Sequence, residues 1–171
     1  LLDAFERIDR GESVRVLVSV PPRHAKTETL LHGFAWLLAR HPQWAIGYGS
    51  YAAEIAYSKS RQARDYARAA GVELRDDSSA VHEWRTRDGG GMLATGRGGP
   101  LTGHGVQLLA IDDPFKNRQE ADSPTLRAQC WGWYTSTART RLEPGGSIII
   151  THTRWHPDDL IGRLLRGDQE E

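Results

Sequence analysis

Apolar residues along this chain fall into two kinds of run. Short, mostly apolar runs occur at Val14–Val20, which is rich in β-branched residues, Ala45–Ser50, Val106–Ile111 and Ser147–Thr151; bounded by turn residues, such runs read as strands. Val14–Val20 is nearly all apolar, which predicts a strand covered on both faces. Other apolar residues recur at helical spacing. Leu2, Phe5 and Ile8 predict a short N-terminal helix, and Leu30, Leu31, Phe34, Leu37 and Leu38 a longer one from Lys26, with Pro42 beyond its end. An Ala-rich helix is expected over residues 51–70, closed by Gly71. Leu126, Cys130, Trp133, Tyr134, Thr137 and Ala138 predict a helix over residues 120–142, and Pro157-Asp158-Asp159 opens a last one over 157–166. Val81–Arg87 and Met92–Thr95 flank Asp88-Gly89-Gly90-Gly91 as a hairpin would. Gly96–Gly105 holds five glycines and reads as a loop. Strands alternating with helices predict one α/β domain, residues 1–171, with a mainly parallel central sheet flanked by helices.

Composition narrows the function classes. With 171 residues, 39% of them hydrophobic and 26% charged, the chain can bury a substantial core. Its formal net charge is zero, so any contact with nucleic acid must be local or shared among subunits. One cysteine, Cys130, excludes an internal disulfide and a cysteine-based zinc site. No apolar run approaches the roughly 20 residues that span a bilayer, and a membrane role is not expected. The chain opens at Leu1 without a Met and is expected to be a piece of a longer protein.

Three predicted strands end in polar residues, and in open parallel sheets ligands bind at those carboxyl ends. After the first comes Pro21-Pro22-Arg23-His24-Ala25-Lys26-Thr27. A phosphate-binding loop needs backbone N–H groups at a helix N-terminus, a Lys for the outer phosphates and a hydroxyl for Mg²⁺. Lys26 and Thr27 supply the last two, although Val20 and Ala25 stand where Gly is usual. After the third apolar run comes Asp112-Asp113, suited to a Mg²⁺ ligand beside a carboxylate that orients water. After the fourth, Thr151 and Thr153 bring small hydroxyls to the same edge. Alone, the first motif reads as readily as an ordinary strand-to-helix turn, and the second and third more readily as a turn and a plain strand end; their order along one sheet edge supports each.

The same residues resemble the ATPase domain of phage terminase large subunits. Their phosphate loop usually reads Pro-Pro-Arg-His-Gly-Lys-Ser/Thr. Gly98-Gly99-Pro100-Leu101-Thr102-Gly103, Leu109–Asn117, the stretch from Trp133-Tyr134 to Arg141-Leu142, and Thr153-Arg154-Trp155-His156 continue the resemblance, in order, over residues 14–165. It implies a RecA-like P-loop NTPase fold, and ATP and Mg²⁺ as ligands. It further implies a homo-oligomeric ring that drives double-stranded DNA into a procapsid with a portal protein and a small terminase subunit, in a bacterial host's cytoplasm. By the same resemblance, residues Pro21 to Thr27 bind nucleotide and Lys26 holds the β/γ-phosphates. Thr27 and Asp112 hold Mg²⁺, Asp113 activates water, Arg23 senses phosphate charge, and Thr151 and Thr153 form the motif coupling hydrolysis to movement. No nuclease activity is expected of this piece.

Two departures stand out. Ala25 replaces the usual loop Gly, and His104 stands where relatives carry the Arg of a Leu-Thr-Gly-Arg-Gly loop. If that Arg is a trans-acting finger, His104 or the nearby Arg97 must serve instead. Trp131, Trp133 and Trp155 read as packing, and Arg61, Arg64 and Arg68 as a solvated helix face. Two other readings stay open: a different P-loop DNA translocase, or a degenerate P-loop fold that docks on the portal or small subunit as an assembly module.

Overall fold

The structure, a computed structural model, describes residues 1–77, 80–101 and 105–167. Its centre is a six-stranded sheet of β1 (Arg15–Ser19), β2 (Ala45–Ser50), β3 (Glu83–Arg85), β4 (Gly91–Gly96), β5 (Val106–Asp112) and β6 (Leu142–His152). The spatial order is β1-β6-β5-β2-β4-β3, and every pairing is parallel except β3 with β4. The helices are α1 (Leu2–Asp9), α2 (Lys26–Arg40), α3 (Ala53–Ala69), α4 (Arg118–Asp122), α5 (Pro124–Trp133) and α6 (Leu160–Arg166).

Strand periodicity divides the interior into two cores. Leu108 and Ala110 of β5, with Ile149 of β6, pack among α1, α2 and α3. Leu109 and Ile111, with Ile148 and Ile150, face the opposite layer, where Cys130, Trp133, Leu160 and Ile161 lie. β5 and β6 are therefore apolar at successive positions, because both faces are covered. The expected mixed α/β sheet, mostly parallel and flanked by helices, is present.

Three expectations are corrected. The first strand is not covered on both faces: β1 is a sheet edge with alternating exposure, and Leu17 is 36% exposed. The helix expected over residues 120–142 is broken. α4 stops at Asp122, Ser123 turns to extended backbone, and its side chain caps α5, whose first residue is Pro124. Proline lacks the N–H that would continue a helix and fits the first turn of a new one. Past Trp133 the chain widens into a π-helical turn, Tyr134–Ala138, then tightens into a 3₁₀ turn, Arg139–Arg141. β6 begins earlier than expected, at Leu142, with Glu143–Gly146 bulging out between its pairings to Val106 and Leu108. The hairpin is present, with Trp84 opposite Met92.

Because β1, β5, β6 and β2 are parallel, their carboxyl ends share one edge. Ser19 stands beside His152 and Asp112 beside Thr151. The loop after β1 leads into α2 on one face, while the chain after β5 leaves for α4 and α5 on the other. Such a divergence opens a crevice at the strand ends.

Candidate functional site

Residues 21–25 cross that edge as an exposed loop between β1 and α2. Arg23 and Ala25 both take left-handed backbone, with φ of 65° and 55°. Left-handed residues alternating with right-handed ones are the backbone arrangement from which anion-binding concavities are built. His24 braces the turn, its Nδ1 lying 3.2 and 3.0 Å from the carbonyls of Pro21 and Pro22. α2 starts immediately afterwards, so the unpaired N–H groups of its first turn lie at the loop. Thr29 accommodates this start by donating from its hydroxyl to the Ala25 carbonyl at 2.9 Å.

Lys26 is buried and reaches across to the end of β5, where its Nζ pairs with Oδ2 of Asp113, the residue after the strand, at 2.7 Å. Thr27 donates its hydroxyl to Asp112 Oδ2 at 2.5 Å, and Thr151 donates to Asp112 Oδ1 at 2.6 Å. Asp113 accepts the backbone N–H of Thr153 at 3.1 Å, and the Thr153 hydroxyl lies 3.4 Å from the Val20 carbonyl. Asp113 is itself left-handed, with φ of 44°. Strained backbone of this kind persists where surrounding contacts determine it, and it clusters at functional sites. Here the Asp113 N–H donates to Thr151 and its carbonyl accepts from Tyr51 N–H, which pins the residue on both sides.

The two acids therefore differ in surroundings. Asp112 is buried, and burial pushes its carboxyl above the ordinary range, while hydrogen bonds from Thr151 and Thr27 pull it back. Asp113 is the more open of the pair, with its side chain 32% exposed. Tyr48 on β2 adds a contact that the sequence did not signal. Its hydroxyl donates to Asp112 Oδ2 at 3.2 Å, and burial followed by the Asp112 charge raises its own pKa, keeping it a neutral donor. Only strand order reveals this: β2 lies next to β5, far from it in sequence.

The site thus gathers Lys26, Thr27, Asp112, Asp113, Thr151 and Thr153, with Arg23 exposed at its loop. Thr27 and Asp112 present oxygen donors side by side. That donor set suits Mg²⁺, which takes one or two protein oxygens and completes its shell with water and phosphate. Beside the loop lies a cleft of about 380 Å³ lined by Leu1, Leu2, Val18 and Val20 together with His24, Lys26 and Thr29.

Arg97 is placed differently. Its guanidinium donates to the Pro114 carbonyl at 2.8 Å, pairs with Glu120 at 3.1 Å and lies over the Phe115 ring. In this conformation it is committed to its own chain. His104 lies outside the described residues. Trp133 packs as expected, its indole N–H donating to Gly99.

No protein-family model matches this chain, and no curated protein matches it either. No helix among the described residues is long and apolar enough to cross a membrane.

Proposed function

We propose that this chain is an ATP-hydrolysing motor domain of the terminase large-subunit type, with a RecA-like P-loop core. In the full motor it would work on double-stranded DNA beside a portal protein and a small subunit. One observation carries the reading: Lys26 and Thr27, at the head of α2, meet Asp112, Asp113 and Thr151 from two other strands within hydrogen-bonding distance.

These positions support a hydrolysis in which each residue has one part. Lys26 exchanges Asp113 for the β- and γ-phosphate oxygens of the incoming nucleotide, and the loop N–H groups surround the same anion. Released from Lys26, Asp113 orients a water and takes up its proton as the oxygen attacks the γ-phosphorus. The bond to the bridging oxygen breaks, and ADP and phosphate leave. Mg²⁺, held by Thr27 and Asp112, would neutralise charge on the phosphate oxygens. Thr151 and Thr153 sit on both carboxylates and so are placed to pass a change at the phosphate into β6. The apolar cleft at Val18 and Val20 has room for part of the nucleoside.

The test is a thermal melt with and without MgATP, followed by steady-state hydrolysis. Binding to the folded state at 100 times Kd adds about 2.7 kcal/mol. The melting temperature should therefore rise with nucleotide in the wild type and stay put in Lys26→Ala, while Asp113→Asn should bind but not hydrolyse. Equal melting shifts in wild type and Lys26→Ala would sink the assignment. Absence of any nucleotide effect would favour an assembly module instead.

A further inference from the structure

Between the two threonines of β6 lies a buried histidine that the proposed chemistry does not use. His152 is 1% exposed, with the Phe115 ring 6.4 Å away. Its Nδ1 lies 2.6 Å from the Thr153 carbonyl. A carbonyl only accepts, so this nitrogen donates. The other nitrogen, Nε2, has no hydrogen-bond partner and faces Asp159 Oδ2 at 3.6 Å. A buried polar atom without a partner is destabilising, so a ring that only filled space here would be better apolar.

Asp159 is fully buried and makes three kinds of contact. Its Oδ1 caps α6 by accepting the Gly162 N–H at 2.9 Å, and its Oδ2 accepts from Arg154 Nε at 2.7 Å while facing His152. Burial would raise its carboxyl, but the donors around it, the Gly162 N–H and Arg154 among them, hold it below the ordinary carboxylate range. The first turn of α6 cannot shift independently of this cap. A Cβ at Gly162 would sit 1.9 Å from the Pro157 carbonyl and 3.0 Å from Arg154.

We propose that His152 and Asp159 are positioning residues, a strut between β6 and α6 that holds the Thr153 N–H on Asp113. His152 Nδ1 donates to the Thr153 carbonyl, one peptide unit beyond the Thr153 N–H, and so restrains that residue from its far side, while Asp159 lies behind the ring at 3.6 Å. Displacement of Asp113 when a ligand takes Lys26 is thereby tied to the position of α6. The consequence for turnover rests on the ATPase reading; the consequence for the Thr153 peptide does not.

The experiment compares wild type with His152→Ala, His152→Gln and Asp159→Asn, using Gly33→Ala as a remote control. It reads amide hydrogen exchange at Thr153 and ATP hydrolysis. His152→Ala should speed Thr153 exchange about tenfold beyond any global change seen in the control, as loss of one local constraint does. It should lower kcat by a similar factor with KM for ATP within about twofold, the signature of a misplaced reacting group rather than lost binding. His152→Gln, which keeps an N–H donor, should recover most of both. Asp159→Asn should change exchange in the same direction as His152→Ala, which keeps the test open if His152→Ala does not fold. Thr153 exchange no faster than in the control, or Gln no better than Ala, overturns the strut. Wild type without ATP turnover defeats the ATPase reading alone, since exchange at Thr153 still decides the strut.

Discussion

Ala25 offers the sharpest test of how the loop is built. It sits at φ 55°, ψ 15°, in the left-handed region, as the residue before α2. There the Cβ of an L-residue crowds the following carbonyl at a cost of about 1–2 kcal/mol, which glycine escapes. Glycine also has more freedom to lose on folding, which returns roughly 0.4–1 kcal/mol of that gain. Ala25→Gly should therefore stabilise the nucleotide-free protein by up to about 1.5 kcal/mol, raising the melting temperature by about 2–4 °C per kcal/mol for a domain of this size. Urea denaturation should show a higher midpoint at unchanged slope, since no surface burial changes. If the loop also encloses phosphate, removing the methyl should tighten MgATP binding, or at least not weaken it. Ala25→Val is the opposing control, because a β-branched residue tolerates left-handed backbone worst. Neutral or destabilising Ala25→Gly, with Ala25→Val harmless, would show that the backbone at residue 25 is not held left-handed and would refute this reasoning.

Three further outcomes follow from the site and its supports. Asp112→Asn should make the empty protein more resistant to urea at neutral pH while abolishing Mg²⁺-dependent effects. Asp112 is raised in the folded state, so the stability tied to its neutral form is present at low pH and lost as pH rises through its folded pKa; the asparagine variant should lack that loss. Thr151→Val should cost about 1.5–3 kcal/mol by removing a hydrogen bond to a buried carboxylate, and it should push Asp112 further upward, readable by carboxyl NMR titration. Gly33→Ala should cost about 1–3 kcal/mol in denaturant melts, because a Cβ there would sit 2.2 Å from the Phe5 ring and force α1 off α2. A neutral Gly33→Ala would mean that α1 does not pack tightly there.

The residues of the candidate site are largely legible in the sequence, for a physical reason. A parallel strand ends where its apolar run ends, and polar residues at that point must lie on the ligand-bearing edge of the sheet. Asp112, Asp113, Thr151 and Thr153 sit at or just past such endings, Lys26 and Thr27 open the helix that follows the first one, and the six meet. Helical spacing likewise located α1 and α2 closely, because each buries an apolar stripe, and alanine content with the closing Gly71 located α3.

What periodicity cannot carry is neighbourhood. Apolar alternation does not reveal whether a strand lies inside or at an edge, so the exposure of β1 emerged only from the strand order. Nor does it reveal that β2 places Tyr48 against Asp112, that Arg97 turns inward to Glu120, or that the Nε2 of His152 faces Asp159 across two elements. The break at Ser123-Pro124 was written in local chemistry and masked by apolar spacing that continued past it. Local sequence determined which residues end each strand and what chemistry they carry. Tertiary packing alone decided which of them touch, because a contact between strands depends on sheet order and register, and neither is encoded within a single run.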